Sequence, residues 1–143
     1  MNWVWDDGGR FQTGFRGKAG DCVTRAIAIA TERPYLEVYV SLNELAKKVE
    51  RRGKTKGIST ARDGVYRTTY DKYLKFLGWG WIPTMTIGSG CQFHLRADEL
   101  PAGRLIVRVS KHMVAVIDGV IHDTHDPTRD GTRCVYGYWS KKE

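Results

Sequence analysis

Cys22, His112 and Asp123 have the types and the settings of a nucleophile, a base and an acid that orients the base. Cys22 follows Gly20-Asp21 and opens the run Val23-Thr24-Arg25-Ala26-Ile27-Ala28-Ile29-Ala30. Gly-Asp reads as a turn, and Asp21 has a side chain suited to accept from the unpaired N–H groups of a first helical turn. A cysteine there lies where the helix dipole favours thiolate over thiol. Apolar residues on nearly every side of the segment predict a helix buried almost all round, with a reactive group at its tip. The plainer alternative is that Cys22 is a small core hydrophobe, as free cysteines commonly are.

His112 opens a predicted strand over 112–117, and Asp118-Gly119 is a strong two-residue hairpin signal leading into a strand over 120–124. With those two residues as the loop, Ile117 pairs with Val120, Val114 with Asp123 and His112 with His125. Directly opposed side chains share a face and strand residues alternate with period two, so His112, Val114, Asp123 and His125 point one way and His122 the other. Asp123 then lies one diagonal step from His112, within reach of an imidazole nitrogen. A carboxylate so placed holds the ring's tautomer and stabilises its protonated form, as the third member of nucleophile–base–orienter sites does.

This order, a cysteine heading an early helix and then a histidine and an acid on adjacent late strands, resembles the papain-like cysteine peptidase superfamily. In those enzymes the cysteine caps a central helix, a histidine begins a sheet strand, and Asn or Asp ends the following strand; Cys22, His112 and Asp123 match role by role. Asp123-Thr124-His125 looks like the Asn-Ser-Trp run of papain, and the smaller bacteriocin-processing and deconjugating relatives, with Asp in that place, are the closer type. The chain is also similar to small papain-like proteins carried by phages and other bacterial mobile elements. The resemblance covers roughly residues 20–31 and 105–139. It implies an α+β papain-like fold, no cofactor, and a thiol hydrolase acting on a peptide, isopeptide or other amide bond through an acyl-thioester. Acyl transfer and deamidation would use the same three residues. Relatives place a glutamine about six residues before the cysteine as an oxyanion donor; here that position is Arg16 and the nearest glutamine is Gln12. Either side chain is a candidate, with the backbone N–H of Cys22 as the second donor. Asp126 is the rival orienter, because an Asp-Pro pair closes this region in some relatives; face alternation favours Asp123.

The elements that must position these groups follow from pattern. Residues 1–20 carry no period and read as an irregular arm packing its aromatics on the core. A helix over 21–31 is followed by one from Pro34 to about 50, with Leu36, Tyr39, Val40, Leu42, Leu45, Ala46 and Val49 as its apolar side. A third runs from Gly64 to Leu77, with Val65, Tyr66, Thr69, Tyr73, Leu74 and Leu77 inward, and Gly78 stops it. A strand near Trp79–Ile87 contains Pro83 and is therefore an edge or bent strand. Ala97 to Leu100 reads as a helical turn. A β-meander then runs over 105–109, 112–117, 120–124 and 134–139. Helices first and an antiparallel sheet afterwards make one α+β domain over 1–143.

Composition narrows the class. A chain of 143 residues with 41% hydrophobic and 27% charged residues has enough apolar material for a core and too much for disorder. Its apolar runs fall well short of the roughly 20 residues of a membrane span. The net charge is +7, and most of it lies between Lys47 and Arg67, where eight cations face only Glu50 and Asp63. Gly53, Gly57, Ser59 and Thr60 interleave, so 51–63 is expected to be a mobile basic loop. Arg51, Arg52, Lys54, Lys56 and Arg62 are its candidate contacts to an acidic protein partner or nucleic acid. This supplies the competing function, a catalytically silent binding module. Three cysteines at 22, 91 and 134 make no disulfide framework, which points to a reducing cytoplasm. Cys91-x-x-His94 and His122-x-x-His125 bring zinc-ligating residue types close together, one cysteine and three histidines, but His122 and His125 alternate to opposite faces, so no metal is expected.

Overall fold

A computed structural model describes residues 1–50 and 57–142. The strands are β1 (Trp3–Trp5), β2 (Trp79–Pro83), β3 (Arg104–Val109), β4 (His112–Ile117), β5 (Val120–Asp123) and β6 (Val135–Lys141); the helices are α1 (Arg10–Thr13), α2 (Cys22–Thr31), α3 (Tyr35–Val49) and α4 (Arg67–Phe76). The strands form one sheet in the order β1-β5-β4-β3-β6-β2. All pairs are antiparallel except β1 with β5, which makes the sheet mixed. The fold is thus α+β, with the helices against one face of the sheet. No helix among the described residues is long and apolar enough to cross a membrane.

The sheet has a core on each face, because β3 and β4 bury consecutive residues that alternate between the two faces. Ile106, Met113, Ala115 and Trp139 pack with α2, α3 and α4, while Leu105, Val107, Val114, Val116 and Ile121 pack on the other side with Leu95 and Leu100. Helix α2 buries Val23, Thr24 and Ala26 through Ala30. Its last carbonyls, at Ile29 and Ala30, accept from the guanidinium of Arg104 at 2.6 and 2.8 Å, which suits the negative end of a helix. The β4–β5 turn has Asp118 and Gly119 at φ 48° and 78°, both left-handed as the tight hairpin requires. Gly137 of β6 has no side chain because the Trp81 ring of β2 lies over it, and an added methyl would overlap that ring. Pro83 ends β2 at the sheet edge, where its missing N–H costs no ladder bond.

Several expectations are corrected. The final strand does not continue the meander; β6 crosses back to pair with β3. The arm over 1–20 contains a strand and a helix, and Trp3 and Trp5 are exposed, leaving Phe15 to stack on Tyr39. On α3 the buried residues are Tyr35, Val38, Leu42 and Ala46, so Leu36 and Val40 face outward. Helix α4 begins at Arg67 and buries Tyr70 where Tyr66 was expected. Within the basic loop, residues 51–56 lie outside the described residues, but 59–64 is tied down. The Ser59 N–H donates to Glu50, the Ala61 N–H donates to Asn43, and Ala61 is fully buried with its carbonyl accepting from Thr24 at 2.8 Å.

Cys91 and Cys134 are joined in a disulfide with Cα atoms 5.8 Å apart, tying the segment before β3 to the start of β6. This overturns the reading of both as ordinary packing residues and removes the premise on which a reducing compartment was expected. Cys22 is the free cysteine. Titration of the native chain with a thiol reagent is expected to give one equivalent and, after reduction and unfolding, three; three in the native chain would exclude the pairing.

Candidate active site

Cys22 is the first residue of α2, and the helix brings it to the end of the sheet where β4 begins and β5 ends. The hairpin register is the one alternation predicts, Ile117↔Val120, Val116↔Ile121 and Ala115↔His122. Continued to the strand ends, it places His112 and Asp123 together, and His112 Nε2 lies 2.7 Å from Asp123 Oδ2. The other ring nitrogen is left for Cys22, whose thiol interacts with the ring. Val114 and Val116 share the His112 side of the strand yet pack away from α2. His112 and Asp123 therefore meet the helix tip around the sheet's end, not across its helix-covered face. His122 points oppositely and lies 3.4 Å from Asp6.

The second oxygen of Asp123 accepts from the Thr124 N–H at 2.7 Å and from Arg25 at 3.2 Å. Arg25 stands one turn beyond Cys22 on α2, and its other terminal nitrogen pairs with Asp21. Asp21 was expected to cap α2, but no side chain caps it. Its carboxylate instead takes Arg25, the Tyr35 hydroxyl at 2.7 Å and Arg10 at 3.7 Å. Asp21 and Asp123 are almost fully buried and Arg25 is 12% exposed. These groups form a continuous chain from Tyr35 through Asp21, Arg25 and Asp123 to His112 and Cys22. Sequence reasoning missed Arg25; its signal was a lone charge in a helix otherwise buried, which must find an acid.

The ionisation of the three residues is coupled. Burial pushes the Cys22 thiol up, but contact with the His112 ring and its charge, the Met113 backbone and Arg25 bring it below its ordinary value. Burial alone would lower the His112 imidazolium; the bonds to Asp123 and Cys22 outweigh it and raise the ring to about 9. Asp123 is raised by burial and held below the usual carboxylate range overall by His112, Thr124 and Arg25. A thiolate–imidazolium pair is therefore favoured from the lowered thiol pKa up to about pH 9. Tyr35 is raised well above its ordinary value by burial and by Asp21, so it donates as a neutral phenol.

Cys22 and His112 border a cleft of about 520 Å³, lined also by Gly20, Gly64, Tyr70, Arg108 and Lys111 among others. Neither proposed oxyanion side chain lines it. Gln12 lies on α1, and the Arg16 guanidinium folds back to donate to the Phe11 and Phe15 carbonyls, stacking 4.3 Å above the Phe11 ring. Asp126 is not beside His112; its carboxylate accepts from the N–H and hydroxyl of Thr128 at 2.9 and 2.7 Å. Of the basic-loop residues, Arg51, Arg52, Lys54 and Lys56 lie outside the described residues, and Arg62 donates to the Lys18 carbonyl at 3.2 Å. Cys91, His94, His122 and His125 do not come together as a ligand set, since Cys91 is in the disulfide and His122 and His125 occupy opposite faces. His112, Asp123 and His125 do cluster, with the two rings 5.1 Å apart. The Arg25 cation already on Asp123 opposes a metal ion there.

The chain matches no family model, no curated protein and no solved structure significantly.

Two measurements follow from this geometry. Alkylation of Cys22 by iodoacetamide is expected to titrate below the free-thiol value of about 8.5, and His112→Ala should return it toward that value; an unshifted wild-type profile would refute the pair. Arg25→Gln leaves two buried carboxylates facing each other and should cost about 3–5 kcal/mol in urea unfolding. Arg25→Lys should recover part of this, since one ammonium cannot fork between two acids.

Proposed function

We propose that this chain is a papain-like thiol hydrolase that opens a peptide, isopeptide or other amide bond through Cys22, His112 and Asp123. The observation that carries the reading is the position of the His112 ring, held by Asp123 on one nitrogen and left with the other for a free cysteine at a helix N-terminus. Sequence resemblance to papain-like enzymes adds support through the same three residues in the same chain order.

In this mechanism the Cys22 thiolate attacks the acyl carbon, and the tetrahedral oxyanion forms beside the first turn of α2. The N–H groups there are not taken by a side-chain cap, so the Cys22 backbone N–H is the donor this chain offers. The His112 imidazolium gives its proton to the departing amine as the C–N bond breaks, leaving a Cys22 thioester. Neutral His112 then takes a proton from water, whose oxygen attacks the thioester carbon; carboxylate leaves and the thiolate–imidazolium pair is restored. Asp123 stays ionised throughout and holds the ring, as its lowered pKa requires.

The test is intact-mass analysis during turnover of acyl-amide substrates, with Cys22→Ala alongside. A transient acyl adduct released by hydroxylamine is expected, and the variant should lose the adduct and at least about 10³-fold in turnover. Turnover that survives in Cys22→Ala, or wild-type protein that never gains acyl mass, would overturn the proposal.

A further inference from the structure

The charges that border the cleft are unevenly shared. Asp21 and Arg25 are paired within the buried run that also holds Arg10 and Asp123, and the exposed Asp63 stands near Gly20 with a hydroxyl of Thr60 as its neighbour. On the His112 side stand Arg108 and Lys111, and neither has a carboxylate partner among the described residues. Arg108 belongs to β3 and sits opposite Met113 and Gly137. It shares the alternation of Ile106 and of Arg104, both of which meet the helix layer. Its guanidinium lies 5.5 Å from the Tyr136 ring centre, which holds a planar cation in place without consuming its charge. Lys111 immediately precedes His112 in the turn between β3 and β4, and is exposed. Two cations without acids, one stacked on an aromatic ring and one exposed, line the same cleft as Cys22.

We infer that the cleft selects acyl substrates bearing a carboxylate, which Arg108 and Lys111 hold beside the carbon that Cys22 attacks. The inference rests on the thiol chemistry proposed above. A planar, half-buried guanidinium is suited to bind a carboxylate through two N–H groups, and a mobile ammonium adds a point charge. The carboxylate has two sources, an acidic side chain or a free chain terminus.

The experiment compares Cys22 alkylation by iodoacetate and by iodoacetamide, reagents of one size and one leaving group that differ by a carboxylate. Their rate ratio cancels any change in thiolate fraction; because the His112 imidazolium also favours the anionic reagent, the cationic subsite is read from how the ratio changes in Arg108 and Lys111 variants. The ratio is expected to exceed that of glutathione measured alongside and to fall as salt is added. It should drop roughly two- to fivefold in Arg108→Gln and again in Lys111→Gln, an exposed position where substitution leaves the fold intact. A ratio indifferent to both substitutions would overturn the inference, whatever its value relative to glutathione and even if iodoacetamide still reacts fast. A slow iodoacetamide reaction with a ratio that still depends on Arg108 would overturn the thiol reading and leave the subsite standing. N-acetylglycine and N-acetylglutamate α-amide, used as protectants, separate the sources. Stronger protection by the first assigns a terminal carboxylate, by the second a side chain, and protection by neither overturns the inference.

Discussion

A guanidinium set between two buried carboxylates governs the geometry of this site. Arg25 reaches Asp21 on one side and Asp123 on the other, and all three are largely out of water. Two buried acids and one buried base do not balance, and an uncompensated charge in such a place costs several kcal/mol. Arg10, 3.7 Å from Asp21, contributes a second cation at one end. At the Asp123 end the partner is His112, and the need for positive charge there explains why the ring holds its proton to about 9 despite burial. Activation of Cys22 is then the last consequence of a chain of pairings that starts at Tyr35 and runs through α2.

Helix α2 can serve as both scaffold and site because of how its residues divide. Alanines and isoleucines let it lie close to β4 and bury nearly all its surface. The polar exceptions have assigned partners: Thr24 donates to the Ala61 carbonyl, and Arg25 spans the acids. The same Thr24 bond fixes the 59–64 segment, whose Asp63 and Gly64 border the cleft opposite Lys111 and His112. One part of the cleft wall is thus attached to α2, which carries Cys22, and another to β4, which carries His112, so both are held by buried structure.

The parts legible in the sequence were those set by local periodicity. Asp118-Gly119 determined the hairpin, and alternation from that turn brought His112 to Asp123 and sent His122 away. The apolar run after Cys22 gave α2 to within a residue. What stayed hidden depended on non-local pairing. That β6 returns to β3, that β1 adds in parallel beside β5, and that Cys91 meets Cys134 are choices of topology which no short window encodes. Leu36 and Val40 fit an apolar helical pattern yet face outward, because burial was decided by where α3 meets α2 and α4. Arg16 was placed by counting back from Cys22 and Gln12 as the nearest glutamine, but Gln12 lies on α1 and the Arg16 guanidinium bonds back to Phe11 and Phe15, so neither reaches the cleft.

The pairing of β1 with β5 sets Trp5 opposite Asp123, and the Asp6 N–H donates to the Asp123 carbonyl at 2.9 Å. Asp123 is therefore fastened by a segment from the far end of the sequence. As the chain is synthesised, α2 and its cysteine emerge first, while the base and the acid arrive only with the late strands. Contacts of such long sequence separation form late in folding. Until β4 and β5 have closed, Cys22 lacks His112, the group that does most to lower its thiol pKa. On the proposed reading, the order of elements along the chain thus leaves Cys22 without its base until β4 and β5 have paired.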